Sequence, residues 1–455
     1  MKKLHYDVFI LGTGNVGHTV ADACADAGKK VGIIDTREYG GTCSQRGCDP
    51  KKVMYTAAVA RRSAAHLQGC GLTEVPGTSW SDLIKTVATY IDPVPSTTRE
   101  DFEKKGIDCY TGEAKFTGEN SLAWDDTEIT ADHIVIGTGQ KPRELEEDFV
   151  GREHAVTHET FFHMEELPKR IAFLGAGYIA MEFGQIAAAF GAQVFMLDHG
   201  KHILSPFDSY LADMVQEQSE EDLDMTIKTE TSNERIEKVD DHYVLYYTQD
   251  GKEHSTEADI IFNTTGRVPA IDTLDLDAAG IDYDDKGIIT NKWLRTSNKN
   301  VWAGGDVNKS DIPLTPVAGI HAKAIKENIL GNMTASNVPI TASVSFVYSN
   351  LAGVGMGEKE ADESGKSYRS IKMEIGDWFN AKRYNTKYYA FHILIEDGTD
   401  IILGAHILGP HAADQINIFA LAVNNELTKD GIQQALFTYP TWTNDIKGML
   451  AEFDK

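Results

Sequence analysis

Basic charge is what this 455-residue chain has least of. It sets 43 lysines and arginines against 69 aspartates and glutamates, a formal net charge of −26 and a pI near 4.9. A field of that sign repels phosphate backbones and anionic lipid, so nucleic acid and acidic membrane surfaces are not expected as partners. Long hydrophobic runs are missing too: no stretch approaches the ~18 uninterrupted apolar residues of a membrane span. The opening MKKLHYDVFILGTG has two lysines and a short apolar run that passes at once into a glycine motif. It is expected to be a first strand and not a signal peptide. Cysteine is scarce, with Cys24, Cys43, Cys48, Cys70 and Cys109 all in the first quarter. That is too few and too clustered for an extracellular disulfide scaffold, and it suits a reducing, cytoplasmic setting with one catalytic pair. No low-complexity segment or short solenoid repeat is present. The length suggests about three domains.

What is present is a long-range echo. YDVFILGTGNVGHTVADACADAGKKVGIID carries an apolar run from Val8 to Leu11, then Gly12, Thr13, Gly14 and Gly17, an Ala-rich helix, and a strand ending on Asp35. Those glycines allow a tight turn and close phosphate approach, the helix N-terminus faces a pyrophosphate, and the terminal acid meets ribose hydroxyls. RIAFLGAGYIAMEFGQIAAAFGAQVFMLD repeats the pattern with Gly175, Gly177, Ala180 and Asp198. Two such folds imply two dinucleotides. Asp198 would accept hydrogen bonds from a 2′-hydroxyl and repel a 2′-phosphate, which favours NADH over NADPH. His199, Lys201 and His202 follow it and are read either as a solvated loop or as cations of the opposite preference.

The segment GGTCSQRGCDPKK, Gly40 to Lys52, holds two cysteines five residues apart. In a regular helix that step separates the Cα atoms by roughly 8 to 9 Å, beyond the ~7 Å that a disulfide spans. Pairing would therefore require a distorted helix, which Gly47 and Pro50 permit; two unpaired structural cysteines are the alternative. Helical patterns follow at Met54 to Leu67 and Asp82 to Ile91, then a strand-rich run ending in Gly137, Thr138 and Gly139. IIFNTTGRVPA closes the second unit, and NVWAGGDV leads through Asp306 to a helix near Thr315. From about Val338 alternating strands and then helices indicate a separate α+β domain.

These motifs together resemble the class I pyridine nucleotide-disulfide oxidoreductases, the family of glutathione reductase, dihydrolipoyl dehydrogenase and mercuric reductase. GGTCSQRGCDPKKVM is similar to the redox-active segment, GTG, TGRVP and GGDV to the cofactor signatures, and GAHILGPHAADQIN to the interface-domain signature. The resemblance implies an α/β chain with two Rossmann-like, three-layer ββα domains and a C-terminal α+β dimerisation domain. Residues 1–148 and 287–335 would bind FAD, 149–286 NAD(P), and 336–455 would form a homodimer interface. FAD would meet Gly12 to Gly17, Asp35, Thr42, Gly112 to Ala114, Thr138, Gly139 and Asp306, with Thr315 at the end of the same signature. The nicotinamide dinucleotide, NAD with NADP possible, would meet Gly175, Gly177, Tyr178, Ile179, Asp198, Gly266 and Arg267. Lys51 or Lys52 would pair with Glu182 beside the flavin. Cys43 and Cys48 would form the redox disulfide, with Cys48 nearer the flavin and Cys43 attacking the substrate. No resident metal is implied.

One departure matters. The family's disulfide reductases carry a histidine before Pro-Thr near the C-terminus and a glutamate that orients it, an acid-base pair typically worth 10² to 10⁴-fold. Here FTYPTWTND places Tyr439 and Asn444, with Asp445 beside it, at those positions. The leading expectation is an NAD(P)H-dependent flavoenzyme reducing a low-molecular-weight disulfide. A flavoenzyme reducing a metal ion, quinone or oxidant is the alternative, and a flavin-linked redox sensor a third. His406 and His411 are read as structural rather than as replacement bases.

Overall fold

The computed structural model describes residues 2–309 and 312–455; Met1, Ser310 and Asp311, which belong to stretches read above, lie outside the described residues. The chain divides into two compact units: Met1–Val53, Lys85–Arg143 and Gly266–Val338 form one, and Met54–Ile84, Glu144–Thr265 and Pro339–Lys455 the other.

The first unit is built on a sheet whose parallel strands run Asp108–Thr111, Val31–Asp35, Lys2–Leu11, Thr127–Ile136 and Val301–Ala303. Ser121–Trp124 and Lys115–Gly118 extend it antiparallel. The central segments Val8–Leu11, Val31–Ile34, Ile134–Ile136 and Val301–Ala303 are apolar runs because both faces are covered there, as parallel sheets require. Val8, Ile10, Val31 and Ile33 pack on one face with Val16, Val20, Ala322 and Ile325 of the helices Asn15–Asp26 and Thr315–Ile329. Phe9, Leu11 and Ile34 line the other with Trp124 and Phe116. The strand Val31–Asp35 ends on its acid, so the glycine turn and Asp35 meet at the carboxyl edge of the sheet.

The second unit repeats the arrangement. Thr226–Lys228, Gln193–Leu197, Arg170–Leu174, Ile260–Asn263 and Ala155–Thr157 form a five-stranded parallel sheet in that order. The helix Tyr178–Ala189 is buried along most of its length. Thr231–Val239, His242–Gln249 and Lys252–Ala258 add an antiparallel sheet. The C-terminal part is a five-stranded antiparallel sheet ordered Ser343–Ser345, Asn350–Gly355, Ile402–Gly409, Ala390–Glu396, Tyr368–Glu374. Phe391, Ile393 and Ile407 of that sheet form a core with Ile416, Phe419, Trp442 and Ile446 of the helices Ala412–Asn424 and Trp442–Ala451.

The helix expected from Met54 begins earlier, spanning Cys48–His66. A helix at Val94–Lys104 went unread in the sequence because Pro93 and Pro95 mark a break; both sit at its start, where the lost amide costs nothing. No helix among the described residues is long and apolar enough to cross a membrane.

Candidate active site

In the first unit the phosphate turn and the cysteine segment are locked together through one carboxylate. Asp35 Oδ2 accepts from the Thr13 amide at 2.8 Å and the Thr13 hydroxyl at 2.6 Å, while Oδ1 accepts from Arg37 N at 3.0 Å. Thr13 Oγ1 in turn accepts from Gly40 N at 3.0 Å. The glycines are needed for backbone approach: a Cβ on Gly17 would lie 1.9 Å from Gly12 O, and one on Gly41, at φ 75°, would lie 2.5 Å from Gly14 Cα. Asp35 thus organises the turn it was expected to complete, a link the sequence spacing did not disclose.

The helix holding both cysteines is broken between them. Gly41–Arg46 is one helix, Gly47 leaves helical geometry at φ −142° and ψ −112°, and Cys48–His66 is the next. Cys43 and Cys48 face each other as hydrogen-bonded thiols. Their mutual hydrogen bond is the largest influence on each: it pulls Cys48 below the ordinary thiol range and, together with burial, pushes Cys43 far above it. Thr315, whose hydroxyl lies 3.9 Å from Cys48 Sγ, and the Lys51 charge also favour the Cys48 thiolate. Within the pair Cys48 is thus the thiol favoured to ionise and Cys43 the one favoured to keep its proton. Lys52 follows on the same helix as Cys48. Thr42 lies within the first short helix. Burial raises Cys24 and Cys109 to about 11, so neither offers a thiolate near neutrality.

GTG and the TGRVP signature are brought together as an antiparallel ribbon, Gln140–Pro142 against Arg267–Pro269. Ala270 N donates to Gly139 O, Arg143 N to Gly266 O, and the Arg267 guanidinium to Gln140 O. Asp306 follows Gly305, whose amide donates to the buried His321 Nδ1 at 3.0 Å. Burial raises the Asp306 carboxyl, against the opposing charges of Arg267 and His321. His321 escaped sequence reading because a histidine within an apolar helix gives no signal of its own. Gly112, at φ 153°, lies against Trp124, and Ala114 is buried. The Thr138 hydroxyl is buried with no hydrogen-bond partner among the described residues, and a Cβ on Gly139 would meet open space. A flavin dinucleotide fits this set: an approachable glycine turn, an unsatisfied hydroxyl and a half-buried acid at one sheet edge.

In the second unit Gly175, at φ 95°, turns against Thr264, and Gly177 borders open space. Asp198 Oδ2 accepts from Ala176 N at 2.6 Å and Oδ1 from Gly200 N at 2.7 Å. His199 is 95% exposed, Lys201 is exposed, and His202 Nδ1 pairs with Asp213 at 2.6 Å. Tyr178 is exposed at the helix start and Ile179 is buried. Glu182 is 2% exposed and accepts from Phe346 N at 2.8 Å. Lys51 and Lys52 belong to the other unit.

Tyr439 is 76% exposed. Asn444 N bonds Thr441 Oγ1 in a helix cap. Asp445 turns inward, accepting from Asn380 Nδ2 at 2.9 Å and Tyr389 OH at 3.2 Å, and burial raises it. Asn444 has no carboxylate, and the Asp445 carboxyl is turned to Asn380 and Tyr389. His406 lies in its strand and His411 caps the helix Ala412–Asn424.

Comparison with known proteins decides the family. Residues 6–322 match the pyridine nucleotide-disulphide oxidoreductase family, and residues 341–450 its dimerisation domain. The chain belongs to this family. Its members are FAD- and NAD(P)-dependent, and the chain is an oxidoreductase of the flavoprotein disulfide oxidoreductase class. It is 27% identical to a Staphylococcus aureus mercuric reductase over 99% of this chain and 83% of that one. It is 27% identical to a Bacillus subtilis dihydrolipoyl dehydrogenase over 96% and 93%, and 29% to a Nostoc glutathione reductase over 96% and 97%. The fold is shared with the solved Cu(II) complex of the HOCl-induced flavoprotein disulfide reductase RclA from Escherichia coli, with TM-score 0.87, 24% identity, and 99% and 100% of the two chains covered.

Proposed function

We propose that this chain is a cytoplasmic, homodimeric, FAD-dependent NADH:disulfide reductase acting on a low-molecular-weight disulfide. In this reading residues 1–148 and 287–335 bind FAD, 149–286 bind the nicotinamide coenzyme, and 336–455 form the subunit interface. The observation that carries it is the Cys43–Cys48 pair, two facing thiols either side of the helix break at Gly47, with the Thr315 hydroxyl 3.9 Å from Cys48 Sγ. The bound flavin supplies two-electron transfer between coenzyme and dithiol. The protein's part is to hold the coenzyme at Gly175 to Asp198, keep Cys48 ionised through Cys43, Thr315 and Lys51, and present Cys43 to the acceptor. Cys43 attacks one sulfur of RSSR, breaking the S–S bond, and its proton passes to the departing thiolate, which leaves as RSH; the Cys48 thiolate then attacks Cys43 Sγ, reforming the protein disulfide and releasing the second half as RS⁻, which takes up the H⁺ of the overall reaction. With NADH as the hydride donor the sum is NADH + H⁺ + RSSR → NAD⁺ + 2 RSH. Asp198 supports NADH in this reading, since an acid at the end of this strand would accept from a ribose 2′-hydroxyl and repel a 2′-phosphate.

A second reading, reduction of a metal ion, is favoured by one observation. Tyr439 stands where the family's histidine would be and Asp445 is committed to Asn380 and Tyr389, so these positions do not form the histidine–carboxylate pair that would protonate a poor thiol leaving group, whereas a metal ion needs none. The solved RclA complex holds Cu(II), which gives this reading a concrete probe. The test is a panel of disulfides and Cu(II) with NADH and NADPH on the purified flavoprotein. Turnover with a disulfide through NADH supports the first reading; turnover with Cu(II) and none of the disulfides replaces it by the second.

A further inference from the structure

The segment after Asp198 is fixed at both ends. At its start the Asp198 carboxylate receives the amides of Ala176 and Gly200. In its middle Leu204 N donates to the carbonyl of Ala176, inside the glycine turn, at 3.1 Å. Ile203 and Leu204 are buried, and Leu204 sits at φ 51°. A non-glycine residue in that region is strained and persists only where its surroundings hold it.

At its end stands Asp208. Oδ1 caps the helix Ser209–Leu223 by accepting from Leu211 N at 3.1 Å. Oδ2 meets His392 Nδ1 at 2.6 Å, and the His392 side chain is 1% exposed, Asp208 10%. His392 belongs to the strand Ala390–Glu396 of the C-terminal sheet. Its other ring nitrogen lies 3.5 Å from Glu358 Oε1, and Glu358 is held by Ser370 Oγ at 2.9 Å and Lys372 Nζ at 2.6 Å. On the neighbouring strand His406 lies directly opposite, ring centres 5.7 Å apart. His392 thus faces Asp208, Glu358 and His406, with Lys372 behind Glu358.

A buried imidazole–carboxylate hydrogen bond is a poor source of stability but a strong geometric constraint, because removing one partner strands the other. Its place at the end of a strained segment that touches the glycine turn gives the constraint a use. We propose that His392 is a positioning residue for the nicotinamide coenzyme: through Asp208 it fixes the 199–208 segment, and with it Ala176 and Asp198. This inference rests on the reading of Asp198 as the ribose acceptor.

The experiment measures NADH turnover of the flavin-loaded enzyme with ferricyanide, and NAD⁺ binding by titration. It compares wild type with His392→Leu, His392→Gln and Asp208→Asn, with flavin content and melting temperature recorded for each. His392→Leu and Asp208→Asn raise KM for NADH and Kd for NAD⁺ by roughly tenfold with kcat held within about twofold. The Gln amide, which can donate to Asp208, restores most of the affinity. Unchanged KM and Kd in folded His392→Leu or Asp208→Asn overturn the inference, as does a loss of kcat that tracks flavin loss and that Gln does not rescue. Should His392→Leu fail to fold, Asp208→Asn and His392→Gln decide by the same criteria. A wild-type enzyme with no NADH turnover and no NAD⁺ binding overturns the coenzyme reading, and this inference with it.

Discussion

At the scale of single residues the chemistry turns on where one proton sits. Cys48 is held below the usual thiol range, first by its hydrogen bond from Cys43 and then, against the cost of burial, by Thr315 and Lys51. A depressed acid stays ionised as pH falls until its own pKa is crossed. The long-wavelength absorbance of the two-electron-reduced enzyme should therefore persist at pH 7 and fade only at more acid pH. Thr315→Val removes one stabilising donor and should move the fading midpoint upward; an unmoved midpoint would leave Thr315 without a part in holding the thiolate. The acid-base departure gives a second prediction. With Asn444 in a cap and Asp445 turned to Asn380 and Tyr389, a lone Tyr439→His lacks an orienting acid. Tyr439→His with Asn444→Glu should raise kcat/KM for glutathione disulfide by roughly 10²-fold, and Tyr439→His alone by far less.

Elements explain how those residues come to be placed. The glycine turn, the strand that ends on Asp35 and the first short helix form one hydrogen-bonded knot through Thr13, and the backbone crossing at Gly41 leaves no room for a side chain. Gly41→Ala, at φ 75° and 2.5 Å from Gly14 Cα, should yield protein that retains little or no FAD after gel filtration, measured as the ratio of visible to ultraviolet absorbance. In the C-terminal sheet burial lowers the His406 pKa. The unfolded chain then binds the proton more readily, so stability falls as pH drops through the unfolded value near 6.5. His406→Asn should flatten the fall in melting temperature between pH 7 and pH 5. Both nucleotide folds were legible in the sequence because glycine spacing and a strand-terminal acid are local signals. The break at Gly47 was legible for the same reason. The His392–Asp208 pair was not: its residues lie far apart along the chain and meet only through tertiary packing, and a histidine in an apolar strand carries no mark of its partner. The antiparallel sheet Thr231–Ala258 was missed because its outer strands, Thr231–Val239 and Lys252–Ala258, are mostly polar and give a weak alternation.

For the whole molecule, the family match across residues 6–322 and 341–450 accounts for the order of the parts, while a family match does not name the substrate. The net charge of −26 argues against polyanions as partners, and the proposed function leaves the acceptor to the local chemistry of Cys43. In the proposed function, electrons from NADH leave through this thiol to a small disulfide. That route is tested most directly by the steady-state NADH turnover of Cys43→Ser beside wild type with low-molecular-weight disulfides as acceptors. Wild type is expected to turn over, and Cys43→Ser to lose roughly 10³-fold or more while still binding FAD. Full activity in Cys43→Ser, or no disulfide accepted by wild type, would contradict it.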